Sequence, residues 1–122
     1  MPFQIKRIYA EVESSDEKRV LVDRLWPRGV SKERAHLDLW LKDVAPSPAL
    51  RIWFAHKAEN FAVFREKYLE ELQNDSAKQE PLQTLKALAK DHMVTLLYGA
   101  KDSKINHAIV LKEYLERKKG NA

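Results

Sequence analysis

The sequence predicts an α/β fold, a single small domain with a short, mostly parallel sheet flanked by helices. Its 122 residues fit one domain and are too few for two ordinary ones. With 44% hydrophobic and 33% charged residues, the chain can bury a core. Residues 93–98 (MVTLLY) form a nearly continuous apolar run, which is typical of a strand covered on both faces.

Three further segments have strand character. Residues 3–9 alternate apolar and polar side chains, residues 19–26 are β-branched near their start and stop at Pro27, and residues 37–44 (LDLWLKDV) alternate again. The last of these is predicted to be an edge strand. The linker of about nine residues between the first two suits a hairpin better than a parallel crossover, which needs about a dozen. The strand order stays open.

Five helical segments are predicted from apolar stripes or helix-start signals. They are a short turn from a Ser31 N-cap to Ala35, residues 49–56 after Ser47 and Pro48, residues 59–73, a helix opened by Pro81, and residues 104–118. We expect Asp102 or Ser103 to cap the last helix, because both residue types accept hydrogen bonds from free helix N–H groups. Residues 117–122 are expected to fray.

The composition excludes several classes of function. The chain has no cysteine, which rules out disulfides, thiolate metal sites and cysteine nucleophiles. Its net charge of +4 is a mild excess that requires no nucleic-acid partner. The N-terminus lacks a signal-peptide pattern, and no apolar run approaches the roughly 18 residues of a membrane span. We therefore expect a cytoplasmic protein.

Common catalytic motifs are also missing. The three glycines form neither a GxGxxG nor a GxxxxGK[ST] pattern, and GxSxG and HExxH do not occur. His36, His56 and His92 have no metal-like spacing, so we interpret them as surface or packing residues. No metal and no cofactor are expected.

The first candidate ligand loop is 23–34 (DRLWPRGVSKER), which follows a predicted strand. Its Pro-x-Gly step suits a tight turn into the helix that Ser31 caps. Free helix N–H groups and arginine side chains together favour binding of an anion. Arg24 and Arg28 are the expected anion ligands, and Trp26 lies beside them on the same loop.

The second candidate loop is 98–107 (YGAKDSKINH), at the end of the most apolar strand. Ligands of open α/β sheets bind beyond the carboxyl ends of the strands. Gly99 permits close backbone approach, and the candidate ligand-binding or catalytic side chains are those of Tyr98, Lys101, Asn106 and His107. If the strands 19–26 and 93–98 are parallel neighbours, both loops converge on one crevice.

Structural roles explain some of these residues equally well. Asp23 and Arg24 occupy adjacent positions of a predicted strand and would point to opposite faces, so they cannot pair with each other. An ion pair to a neighbouring strand accounts for either residue about as well as a ligand does. For His107, capping the loop and transferring a proton are equally good explanations.

We therefore carry two main hypotheses and a third. In the first, the protein binds an anionic small molecule: Arg24, Arg28 and Lys101 hold it, His107 transfers a proton, and Asp23 orients a partner; whether it is an enzyme stays open. The alternative is a nucleic-acid-binding module using the arginine-rich N-terminal third, although acidic residues interleave there. The third is a protein-interaction module carried by helix 59–73. The oligomeric state stays open.

Long stretches of the chain resemble a known family. The segments VLVDRLWPRGVSKERAHLDLWLKDVAPS, LRIWFAH and TLLYGAKDSKINHAIVLKEYL resemble the YeaO-like family of small bacterial proteins of unknown function, and the resemblance runs from Ile5 to Leu115. It implies a small single-domain α/β cytoplasmic protein and no established activity. Related domains carry a pattern like C-x-E-x(5)-C-H-R, whose defined positions here are Tyr98, Ala100, Asn106, His107 and Ala108. Only the histidine is retained.

Overall fold

A computed structural model describes residues 2–117 of the chain. Four strands form one parallel sheet in the order β1-β4-β2-β3. The strands are β1 (Phe3–Arg7), β2 (Lys18–Leu21), β3 (Leu39–Trp40) and β4 (Val94–Tyr98). The predicted α/β class with a parallel sheet is confirmed, and so is the edge position of the strand near residue 39.

Five helices accompany this sheet. They are α1 (Lys32–Ala35), α2 (Pro48–Phe54), α3 (Phe61–Asn74), α4 (Gln79–Leu88) and α5 (His107–Leu115). All five predicted helical segments are confirmed, with ends that differ by a few residues. None of the helices within residues 2–117 is long and apolar enough to cross a membrane. The predicted frayed tail lies outside the described residues except for Arg117.

The apolar strand β4 lies in the centre of the sheet, and all five of its residues are buried. Alternate residues serve two cores, because successive strand side chains point to opposite faces. Val94 and Leu96 belong to the main core with α2 to α5, whereas Leu97 packs with Leu21 and Ile8 in a smaller cluster. The prediction from the run MVTLLY is thus confirmed.

The preference for a hairpin between β1 and β2 is wrong. The two strands run parallel, and β4 is hydrogen-bonded between them. The linker returns across the sheet through a 3-10 turn at Ser14–Asp16. The buried Asp16 side chain anchors this turn by accepting hydrogen bonds from Lys6 on β1 and Arg19 on β2. The apolar strand β4 needs cover on both faces, and its position between β1 and β2 also pairs both of its edges. A hairpin would have paired β1 directly with β2 and left no place for β4 between them.

The second and third strands are shorter than predicted. β2 ends at Leu21, and only the Val22 N–H continues the ladder by donating to the Leu97 carbonyl at 3.1 Å. β3 spans two residues before a 3-10 turn at Lys42–Val44. Residues 23–26 are therefore loop and not strand, which changes how the side chains of that segment are directed.

Local start signals correctly identify the starts of α1 and α2 and miss those of α4 and α5. The helix predicted to open at Pro81 begins two residues earlier, at Gln79. The side chains of Ser31 and Ser47 each accept a hydrogen bond from a backbone N–H of the helix that they precede, as predicted. The expected cap of α5 at Asp102 or Ser103 is wrong. Asp102 accepts from the N–H groups of Lys104 and Ile105 in a separate turn, and Asn106 caps the helix by accepting from Ile109.

Candidate functional site

A cavity of about 230 Å³ lies where β2 and β4 end. We call it the strand-end cavity. Its polar lining comes from the two strand-end loops and from α2 and the residues after it: Asp23, Arg24, Arg51, His56, Asn106 and His107. Its apolar lining includes Leu25, Pro46, Phe54 and Phe64. Within residues 2–117, no three histidine, aspartate or glutamate side chains cluster as a metal site would require.

The parallel pairing of β2 with β4 creates this cavity. Val20 lies opposite Leu96 and Leu21 opposite Leu97, so both strands end at the same edge of the sheet. The loops that begin at Asp23 and Gly99 therefore start side by side. The two loops were predicted to converge if their strands are parallel neighbours. The strands are parallel neighbours, and each loop supplies residues to the cavity.

Asp23 joins the two loops. Its Oδ2 accepts a hydrogen bond from the Gly99 N–H at 2.9 Å. A β-carbon added at Gly99 would lie 3.0 Å from this same oxygen, so glycine permits the close approach. Burial raises the pKa of the Asp23 carboxyl above its usual 3.8, although the nearby His107 and the Gly99 N–H act in the opposite direction.

His107 is the first residue of α5, and its ring is fixed on two sides. Its Nε2 lies 2.9 Å from the Val22 carbonyl oxygen, which can only accept, so we infer that Nε2 carries a hydrogen and donates it there. The buried Tyr68 ring packs edge-on against the imidazole, with centroids 6.1 Å apart. The same Nε2 is 3.4 Å from Asp23 Oδ1. The ring is thus oriented by the end of β2.

Arg24 lines the cavity while holding one of its walls. Its guanidinium donates to the carbonyls of Ala45 and Pro46 at 3.3–3.4 Å and lies 3.9 Å from the exposed Asp43 carboxylate. Arg24 and Asp23 make no ion pair with each other, as predicted. The reason given for that prediction was wrong: the two residues follow the end of β2, and both line the cavity.

The structure separates the predicted site residues into two groups. Asp23, Arg24, Asn106 and His107 line the strand-end cavity. Tyr98 is buried in the main core, Arg28 and Lys101 are exposed, and Trp26 packs edge-on against Trp40 while its Nε1 donates to the Val30 carbonyl. These four are outside the cavity lining.

Two cavity residues, Arg51 and His56, were not predicted as site residues. Arg51 precedes the cavity residue Phe54 by three positions on α2, a spacing that places side chains on neighbouring parts of one helix face. His56 follows Ala55 after the helix, and both have positive φ values, 57° and 48°. Neither residue could be identified from the sequence, because Phe54 was not itself predicted at a site and two successive left-handed residues without glycine leave no pattern around His56.

A family model described as the inactive DUF488-N3 subclade matches residues 2–121. The chain belongs to this family. It is 44% identical over 115 residues to the uncharacterised protein YeaO of Escherichia coli K12, covering 94% of this chain and 97% of that protein. Uncharacterised proteins of Mycobacterium bovis and Mycobacterium tuberculosis are each 38% identical over 112 residues, or 92% of both chains. No solved structure matches. The predicted YeaO-like membership is confirmed.

In this DUF488-N3 chain, the two positions that the resemblance assigned to cysteines elsewhere have structural tasks. Tyr98 is the last residue of β4 and is 3% exposed. Asn106 is 1% exposed, caps α5, and donates from its Nδ2 to the Asp102 carbonyl at 2.9 Å. Of the five positions of the motif described above, Ala100, Asn106 and His107 line the cavity.

Proposed function

We propose that this protein binds a small anionic molecule in the strand-end cavity and holds it without chemical turnover. The observation that carries this proposal is the presence of both Arg24 and Arg51 on the lining of one small cavity at strand ends, where ligands of α/β folds usually bind. His56 lines the same cavity. Arginine favours carboxylates and phosphates because its planar fork presents parallel N–H donors.

Binding without turnover draws support from two sources. The matching family model is described as an inactive subclade. In addition, the Nε2 hydrogen of His107 points to the Val22 carbonyl, so the nitrogen nearest to Asp23 is not free to relay a proton from that carboxyl. Asp23 and His107 in this proposal shape the site instead of acting as the acid–base pair that the sequence suggested.

The nucleic-acid alternative has weaker support. Of the five early arginines, Arg19 is buried against Asp16 and the Ala35 carbonyl, and Arg24 contacts the cavity wall. Arg7 donates to the Ala100 carbonyl and stacks on Tyr9. Nucleic-acid binding through a basic face needs a continuous run of exposed cations. On the sequence grounds above, we propose a cytoplasmic setting for the anion-binding function.

Replacing Arg51 by methionine is expected to weaken binding of the anion about tenfold or more, because one charge-assisted hydrogen bond is removed. The measurement is ligand-dependent thermal stabilisation of the wild type with a panel of phosphate, small carboxylates and nucleotides. Any stabilising compound is then titrated against Arg51→Met. Arg28→Met is the matched control, since Arg28 is an exposed arginine outside the cavity lining.

The control should retain wild-type affinity. If no anion in the panel stabilises the wild type, the proposed function is wrong. Equal weakening in Arg28→Met and Arg51→Met would instead indicate that anions bind the loop 28–34 or the general positive charge of the protein. Loss of binding in Arg28→Met alone would place the anion site at Arg28, where the sequence predicted it.

A further inference from the structure

We propose that the ligand of the strand-end cavity carries a hydrogen-bond donor, an ammonium or a hydroxyl group, in addition to its anionic group. Asp23 Oδ1 accepts this donor, while Arg24 and Arg51 hold the anion. The inference rests on the proposed function and narrows it to amino acids, hydroxy acids and molecules of similar chemistry. It follows from the surroundings of one carboxylate oxygen.

Asp23 Oδ1 is buried and lacks a hydrogen-bond donor among the described residues. The other oxygen of the same carboxylate is satisfied by the Gly99 N–H at 2.9 Å. Buried carboxylate oxygens are normally paired, because a missing hydrogen bond leaves the cost of desolvation uncompensated. Asp23 lines the cavity with a side chain that is 21% exposed, so a rotation of its carboxyl group would bring Oδ1 to a donor on a ligand there.

His107 does not fill this role. Its Nε2 is the nearest ring nitrogen, 3.4 Å from Oδ1, but a ring nitrogen carries a single hydrogen. That hydrogen goes to the Val22 carbonyl at 2.9 Å. This holds for the neutral and for the protonated ring, since Nε2 has one hydrogen in both forms. The ring therefore leaves a lone pair of Oδ1 open.

The remaining lining limits the ligand further. Phe54 and Phe64 stack with centroids 4.2 Å apart and both face the cavity, which provides an apolar wall. The cavity volume of about 230 Å³ is below the roughly 300–1,000 Å³ of typical ligand pockets, so the ligand is compact. A small molecule with an anionic group, a donor and a short apolar group matches these three parts of the lining.

Three probes of one shape test the donor directly. Leucine, 2-hydroxy-4-methylpentanoate and 4-methylpentanoate share a carboxylate and an isobutyl group, and they carry an ammonium, a hydroxyl and neither donor at the second carbon. Isothermal titration calorimetry with the wild type is expected to show the amino acid or the hydroxy acid binding about tenfold or more tightly than 4-methylpentanoate. The tighter of the two identifies the donor.

Two variants assign the preference to Asp23. Asp23→Asn keeps the shape and an oxygen for the Gly99 N–H but presents an NH₂ group to the ligand, so the preference should vanish. Gly99→Ala places a methyl group 3.0 Å from Asp23 Oδ2 and should reduce the preference by displacing the carboxylate. A cooperative thermal unfolding transition verifies that each variant folds. If Asp23→Asn does not fold, Gly99→Ala alone tests the role of Asp23.

Several outcomes would overturn the inference. One is equal binding of all three probes by the wild type; another is a donor preference that survives in both variants. Failure of all three probes, with inorganic phosphate still binding in an Arg51-dependent manner, would overturn this inference and leave the proposed function standing. Failure of the probes and of every anion in the panel would remove both.

Discussion

Replacing Asp16 by alanine is expected to lower the free energy of unfolding by about 3–5 kcal/mol, because the change leaves a buried cation without its partner. Asp16 is 1% exposed and Arg19 is 3% exposed. The Asp16 carboxylate accepts hydrogen bonds from Arg19, from Lys6 Nζ at 2.9 Å and from the Glu13 N–H at 3.1 Å. These bonds connect β1 and β2 across the central strand, so their loss affects the whole sheet.

Urea denaturation measures this effect, and Glu13→Ala is the matched control. Glu13 contacts the same Lys6 Nζ at 2.8 Å, but its side chain is 64% exposed. An exposed pair of this kind contributes at most about 1 kcal/mol. If Asp16→Ala costs no more than Glu13→Ala, then Asp16 does not anchor the linker between β1 and β2.

The stability of the wild type should also depend on pH through Asp16. Although burial alone would raise the pKa of its carboxyl, the hydrogen bonds from Lys6, the Glu13 N–H and Arg19 hold the pKa below the usual 3.8. The stabilisation is therefore present above about pH 4 and is lost as the pH falls through the lower folded-state value. In Asp16→Asn the free energy of unfolding should fall less as the pH is lowered. If it falls as steeply as in the wild type, Asp16 is not the source of the pH dependence.

The second large effect is expected for Lys78, whose buried ammonium holds the wall of the strand-end cavity. Its Nζ donates to the Ala45 carbonyl at 2.6 Å and to the Asp43 carbonyl at 3.1 Å. Lys78→Ala should lower the free energy of unfolding by about 2–4 kcal/mol, because it removes the donor to the Asp43 carbonyl and the shorter of two hydrogen bonds to the buried Ala45 carbonyl, and it opens a void. Urea denaturation provides the measurement, with the exposed Lys86→Ala expected within about 0.5 kcal/mol of wild type.

Lys78 and Arg24 both donate to the Ala45 carbonyl, so this wall segment is held from two sides. Lys78→Met keeps most of the side-chain volume and removes only the charge and its donors. We expect this variant to weaken anion binding in the cavity although Lys78 is not part of the lining. Unchanged stability and unchanged binding in Lys78→Met would show that Arg24 holds the wall without help.

The features that local sequence patterns predict well are those that neighbouring residues decide. Ser47 before Pro48 marks the start of α2, and the apolar run MVTLLY marks β4 as a covered strand. The position of β4 between β1 and β2 depends on pairing across more than 70 residues, for example Lys18 with Val94, and no short segment encodes that choice. The preference for a hairpin therefore failed.

The candidate site divides in the same way. Asp23, Arg24, Asn106 and His107 could be named because each stands at or near the end of an apolar strand. Arg28 belongs to the same quoted motif as Arg24, but β2 ends at Leu21, and the loop carries Arg28 away from the cavity to an exposed position. Arg51 reaches the cavity from a helix that is distant in sequence, so its role follows from packing.

The most direct test of anion binding at the strand ends is an amide chemical-shift titration of ¹⁵N-labelled protein with the anions of the panel, phosphate included. Binding in the strand-end cavity predicts saturable shifts centred on the amides of Arg24, Gly99, Asn106 and His107. The amides of residues 28–34 should stay unchanged. Saturable shifts confined to residues 28–34, or no saturable shift with any of the anions, would contradict the account.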